Sequence, residues 1–176
     1  MNSYEVGCLI SDVFNLSREG KSLVAGGYLR DIDLGREPKD VDVLIEYEDD
    51  LDLKEAEIQA RFHGYDISRV GGNYGEIGKD LHRVFKLRKE GELKIDLVFL
   101  NQPVLTRFYD FPCNMCMIYR HGETGEIVTS EDYDYGKLNK MVVYNPTTTR
   151  ENYHKKMLEY FPDWDHVMPK GFQEEA

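Results

Sequence analysis

Nothing in the sequence approaches the run of about eighteen apolar residues that a membrane-spanning helix needs, so no membrane role is expected. No basic segment followed by an apolar one opens the chain, so no secretory signal is read there. Cysteine is scarce: Cys8, Cys113 and Cys116 are too few for a disulfide scaffold and fit a reducing cytoplasm. Positive charge is also short. With 22 Lys and Arg against 33 Asp and Glu the formal net charge is −11, which excludes wholesale electrostatic adhesion to nucleic acid but not a local basic strip. No repeat or linker divides the 176 residues, whose 41% hydrophobic and 31% charged content is an ordinary globular balance. One domain over 1–176 is expected, with 162–176 as a C-terminal appendix.

The stretch from Leu23 to Glu46, LVAGGYLRDIDLGREPKDVDVLIE, organises the rest. A short apolar run breaks at Gly26-Gly27, a helix starts near Tyr28, and the chain turns over Gly35 to Pro38. It then alternates, with Val41, Val43 and Ile45 on one face and Asp40, Asp42 and Leu44 on the other. Successive side chains on one face of a strand lie roughly 6.5–7 Å apart, so two carboxylates there are able to hold cations in common. Gly26-Gly27 lets an anion approach the backbone, and Arg30 adds a charged donor in the first helical turn. Each part alone is ordinary: a bare Asp-x-Asp is usually a solvated strand, and a bare Gly-Gly a turn.

The combination is not ordinary. Gly26-Gly27-x-x-Arg30-Asp31, then Leu34-Gly35-Arg36-x-Pro38-Lys39-Asp40-x-Asp42, closely resembles the head of the tRNA nucleotidyltransferase (CCA-adding enzyme) and bacterial poly(A) polymerase family, without a gap over seventeen positions. The resemblance implies a nucleotidyltransferase fold of α/β (α+β) type, a mixed sheet with packed helices. It also implies Asp40 and Asp42 as ligands of two Mg²⁺ ions, and Gly26, Gly27, Arg30 and Asp31 as nucleotide-binding residues.

Along the chain, helical spacing over 4–17 and a stop at Gly20 give a first helix, followed by a strand over 22–25. Leu51, Leu53, Ala56, Ile58, Ala60 and Phe62 give another helix, stopped by Gly64, with Glu48-Asp49-Asp50 as a surface turn before it. A strand is expected over 65–70, then a glycine-rich loop from Gly71 to Gly78 that closes over a nucleotide or merely connects. Strands follow over 83–89 and 92–100. In the second, Asp96 lies on the face opposite Ile95, Leu97 and Phe99, so it joins Asp40 and Asp42 if the two strands pair. A helix capped by Ser130, a strand over 141–144 and a helix over 149–160 complete the reading.

Arg83, Lys86, Arg88, Lys89 and Lys94 form a basic strip, read either as a phosphate track or as a solvated hairpin. The segment 107–119, RFYDFPCNMCMIY, resembles the family's Arg-Arg-Asp-Phe-Thr-x-Asn-Ala. Asp110, Phe111 and Asn114 match it, whereas Phe108 and Tyr109 stand where the arginines would be and Arg107 lies one place upstream. The resemblance implies nucleotide contacts for Arg107, Asp110 and Asn114. Cys113-x-x-Cys116 before His121 is not a zinc site, because no fourth ligand follows at zinc spacing; packing accounts for the pair.

The family likeness runs to about residue 145 and leaves no room for the family's RNA-holding body, so a stand-alone head is expected. It implies transfer of a nucleoside monophosphate from an NTP to an acceptor hydroxyl, an RNA 3′ end and tRNA first. The alternatives are a protein or small-molecule acceptor, or a non-catalytic nucleotide-binding or inhibitory module.

Overall fold

The computed structural model describes residues 1–70, 81–149 and 151–168, so the expected Gly71–Gly78 loop lies outside the described residues. Helix α1 (Ser3–Ser17) starts where Asn2 and Glu5 each accept a hydrogen bond from the other's backbone N–H, which satisfies two end groups of the helix at once. Its buried stripe, Val6, Ile10 and Phe14, follows the four-residue step of one helix face. Gly7 lies within that stripe, and a Cβ there would stand 3.0 Å from Val41 Cγ1, so the glycine sets how closely α1 seats on the sheet.

Strand β1 (Ser22–Ala25) and α2 (Gly27–Asp33) lead to β2 (Asp40–Glu46), α3 (Asp50–Phe62), β3 (Asp66–Val70), β4 (Leu81–Arg88) and β5 (Lys94–Leu100). Then come α4 (Val104–Tyr109), β6 (Ile118–Arg120), β7 (Ile127–Thr129), α5 (Glu131–Asn139), β8 (Met141–Val143), α6 (Glu151–Tyr160) and β9 (Asp165–Val167). Among the described residues one seven-stranded sheet runs β3-β4-β5-β2-β1-β6-β7; β2 and β5 pair in parallel and the other neighbours antiparallel. This is the expected mixed sheet with packed helices. No helix among the described residues is long and apolar enough to cross a membrane.

One face of the sheet is a dry core in which Val41, Val43, Ile45, Ile95, Leu97, Phe99 and Phe85 meet α1 and α3. The opposite face carries a smaller apolar cluster, including Leu44, Val84 and Leu100 under Val104 of α4. A third cluster joins Leu29, Met115, Tyr133, Val142, Met157 and Phe161.

The helix expected before Gly64 is present as α3. Leu51, Ile58 and Phe62 of α3 are exposed, at 69%, 60% and 81%, while Leu53, Ala56 and Ala60 face the sheet. Steps of three and four keep the latter set on one stripe and turn the former outward. The segment assigned to an appendix contains β9, which pairs in parallel with β8 in a separate two-stranded sheet. Phe161, immediately before that segment, is fully buried. The acidic turn also does more than face solvent: Asp49 caps α3, and Glu48 stands 3.5 Å from the buried Lys21, whose main partner is Asp52 at 2.8 Å.

Candidate active site

The strand alternation that buries Val41 and Val43 turns Asp40 and Asp42 to the other face, and the same alternation in β5 turns Lys94 and Asp96 that way. The parallel register sets Asp42 opposite Asp96 and Asp40 opposite Lys94. Asp96 therefore comes beside the other carboxylates, as the sequence led one to expect. Lys94 comes with them, its Nζ 3.9 Å from Asp40 Oδ2 and 3.6 Å from Asp96 Oδ2.

Burial, then the charges of Asp40 and Asp96, push the Asp42 carboxyl from 3.8 up to about 8. Burial also raises Asp96, against the opposing pull of Lys94, and its Oδ1 is buried with no hydrogen-bond partner. Among the described residues no group of His, Cys, Asp or Glu is gathered closely enough to hold a metal as it stands. Carboxylates short of positive charge repel one another, and Lys94, with Lys86 across the sheet from Asp96, offsets part of that charge.

Ala25 pairs with Asp42 across β1 and β2, so the chain leaves β1 directly at the carboxylates. Gly26 follows at φ 86° and ψ −140°, a conformation other residues adopt only under strain, with its N–H bonded to Ile118 O at 2.9 Å. A Cβ at Gly26 would lie 3.7 Å from Asp42 Oδ2, and one at Gly27 3.4 Å from Arg30 Nη2. The glycine pair therefore lies between the carboxylates and a guanidinium.

Arg30 is an anchor as well as a cleft-facing donor. It is 5% exposed, its Nε donates to Asp31 Oδ1 at 3.1 Å, and its guanidinium packs 4.6 Å from the Tyr160 ring centre. Asp31 also accepts from Tyr160 Oη at 2.5 Å, and Arg36 donates to the Tyr160 carbonyl. The Arg30–Asp31 pair thus clasps the end of α6 onto α2.

These residues enclose a cleft of about 450 Å³ that brings together Gly26, Gly27, Arg30, Asp31, Asp40, Asp42, Asp96 and Arg107. Asp110 and Asn114 do not line it. Asp110 is exposed at the end of α4. Asn114 is buried: its amide donates to Asp132 O at 3.1 Å and Met141 O at 3.2 Å, and accepts from Val143 N at 2.8 Å. Every polar atom of that side chain is engaged in joining α5 to β8. Asn114→Ala should therefore lower stability, at roughly 1–3 kcal/mol for each buried group left unsatisfied. A urea midpoint equal to that of the unaltered protein would overturn this reading of Asn114.

Sequence reasoning missed Lys94 as part of the acidic group, together with Cys116, Tyr153, Lys156 and Tyr160, which also line the cleft. Lys94 was legible as the residue two before Asp96; its place beside Asp40 depends on the parallel pairing. The α6 residues reach the cleft by long-range packing that leaves no local signal. Cys113 is buried, and its Sγ lies 3.8 Å from Cys116 Sγ, which in turn is 2.7 Å from Tyr153 Oη. The shared hydrogen bond drives the two thiols apart, lowering Cys116, with help from Arg30 and Tyr153 against burial, and raising Cys113.

No protein-family profile matches the chain, and no curated protein matches it in sequence. Solved structures do. A tRNA-processing enzyme in an apo form superposes with a TM-score of 0.66 at 17% identity, over 93% of this chain and 43% of its own. The Thermotoga maritima CCA-adding enzyme complexed with tRNA gives 0.66 at 16% identity, over 95% and 39%. A tRNA nucleotidyltransferase complexed with a primer tRNA and an incoming ATP analogue gives 0.55 at 20%, over 81% and 40%. The chain thus has the nucleotidyltransferase fold of CCA-adding enzyme heads. It spans about two fifths of the length of these structures.

Proposed function

We propose that the chain is a metal-dependent nucleotidyltransferase that moves a nucleoside monophosphate from an NTP to the 3′ hydroxyl of an RNA, tRNA first. The observation that carries this reading is the convergence of Asp40, Asp42 and Asp96 on one cleft wall beside Gly26-Gly27. The solved structures that share the fold, complexed with tRNA, ATP or CTP, support it.

The residues fit a divalent cation. An all-oxygen donor set suits Mg²⁺, burial and then the charges of Asp40 and Asp96 raise Asp42, and Asp96 Oδ1 is a buried acceptor without a partner. Asp40, Asp42 and Asp96 would hold the ions, which when bound supply neutralisation of phosphate charge and activation of the acceptor hydroxyl. Arg30, Lys156 and Arg107, which line the same cleft, offset the remaining charge of the triphosphate and leaving pyrophosphate. Gly26 and Gly27, without side chains, admit the phosphates to the backbone. Val84, Val98 and Phe111 add apolar lining to the same cleft.

The test is incubation with α-labelled NTPs, Mg²⁺ and a set of acceptors including tRNA without its terminal nucleotides. Label on RNA supports the proposal. Label on protein or a small molecule replaces the acceptor, and no label with intact nucleotide binding leaves a binding module.

The basic strip enters in altered form. Lys86 pairs across the sheet with Asp96, and Lys86, Arg88 and Lys94 share the carboxylate face. Arg83 lies opposite Phe99 on the other face, and Lys89 donates to His63 O at 3.1 Å at the end of α3. Lys86→Ala/Arg88→Ala should weaken RNA binding and lower the log–log salt slope by about 0.7–0.9 for each lost phosphate contact. Lys89→Ala should leave the slope unchanged; binding titrations across a salt series read both, and an unchanged slope in the double variant removes the strip from the RNA surface.

A further inference from the structure

The geometry points to Cys113 and Cys116 as an oxidisable dithiol, a covalent modification site in the cleft wall at which a hydroperoxide converts two thiols to a disulfide. Their sulfurs stand 3.8 Å apart across a single 3₁₀ turn, Asn114–Cys116. That separation is beyond the bonded S–S length of about 2.05 Å but within reach of a modest side-chain rotation. Access is unequal, as a two-step oxidation needs. Cys116 is partly exposed and lines the cleft, while Cys113 is 1% exposed behind it.

The surroundings favour an anionic sulfur at Cys116 rather than at Cys113. Tyr153 Oη lies 2.7 Å from Cys116 Sγ and 3.5 Å from Cys113 Sγ, and Arg30 and Lys156 line the same cleft. A thiolate held by a hydroxyl donor near cationic side chains is the reactive form of cysteine, and the lowered Cys116 thiol agrees with the geometry. The third cysteine, Cys8, is buried in the core between α1 and the sheet and has no second thiol beside it.

The step balances. Cys116 thiolate attacks the peroxide O–O bond, one oxygen stays as the sulfenic acid, and hydroxide or alkoxide leaves. Cys113 sulfur then attacks Cys116 sulfur, the S–S bond forms, the S–O bond breaks, and the departing oxygen takes the Cys113 proton to leave as water. Two electrons pass from sulfur to peroxide. The oxidised pair carries no negative charge beside Arg30, and Cys116 no longer holds Tyr153 as a charged acceptor.

The chemistry of the dithiol stands apart from the transfer reaction; only the protection described next rests on the proposed function. The full chain is treated with graded hydrogen peroxide, with and without NTP and Mg²⁺, and followed by intact mass and peptide mapping. Expected is loss of the two hydrogens, mapped to a 113–116 crosslink and reversed by dithiothreitol, slowed at least about tenfold by saturating NTP because Cys116 would lie behind the bound triphosphate. Cys113→Ser should instead accumulate a sulfenic acid at Cys116 that dimedone captures. Oxygen addition without a crosslink, oxidation confined to Cys8, or no oxidation overturns the dithiol. A crosslink formed equally fast with NTP supports the dithiol and counts against triphosphate binding in this cleft.

Discussion

On the proposed function, Asp42→Asn is expected to slow nucleotidyl transfer by at least about a thousandfold, since it removes a carboxylate that would hold the ions balancing phosphate charge. The same change should make the metal-free protein more stable at alkaline pH. The Asp42 carboxyl rises from 3.8 to about 8 on folding, so between those values the folded chain holds a proton that the unfolded chain has released. Stability is therefore fully present below about pH 4 as far as this group is concerned, and falls until pH passes about 8. Asparagine cannot lose that proton, so the variant should lack this part of the decline. Single-turnover transfer and thermal melts in chelator from about pH 5 to 9 read the two effects. Turnover retained in Asp42→Asn refutes the catalytic assignment; equal pH profiles refute the raised Asp42 carboxyl.

Arg30→Met should be the most damaging single change to the fold among those considered, at about 3–5 kcal/mol, because it leaves the Asp31 carboxylate buried without its cation. Asp31 is 2% exposed, so water cannot replace the lost partner. The contact of the guanidinium with the Tyr160 ring, 4.6 Å away, goes as well, and with it part of the hold on α6. Arg30→Met/Asp31→Asn should recover part of the loss, since the amide carries no charge to strand. Urea unfolding of the single and double variants gives the comparison. A double variant weaker than Arg30→Met would show that the pair is not a coupled unit.

The sheet was largely legible because its signals are local. Alternation in 41–45 and 95–99 assigns faces without knowledge of any neighbour, and Asp96 followed once β2 and β5 were supposed to pair. The features that escaped depend on closure over distance. Lys94 balances Asp40 only because the parallel register puts them side by side, and a sequence read strand by strand counts it with the hairpin's other cations. Asn114 matched a family pattern, yet its amide is taken up by backbone groups of α5 and β8 whose positions no local rule supplies. In α3 composition identifies the helix, but only packing decides which stripe faces inward.

The cleft is built from both ends of the described chain. Its carboxylates belong to β2 and β5, complete by Leu100, whereas Tyr153, Lys156 and Tyr160 come from α6, whose end is secured by Phe161 and the β8–β9 pair. On a translating ribosome, adding about 5–20 residues per second, some 3–13 s separate synthesis of Leu100 from that of Val167. Through that interval the nascent chain displays the acidic strands while Arg30 and Asp31 still lack the aromatic ring that covers them. The cleft is therefore completed only when α6 and the β8–β9 pair have been made, so a nascent chain arrested between those points carries the carboxylates without the wall that faces them.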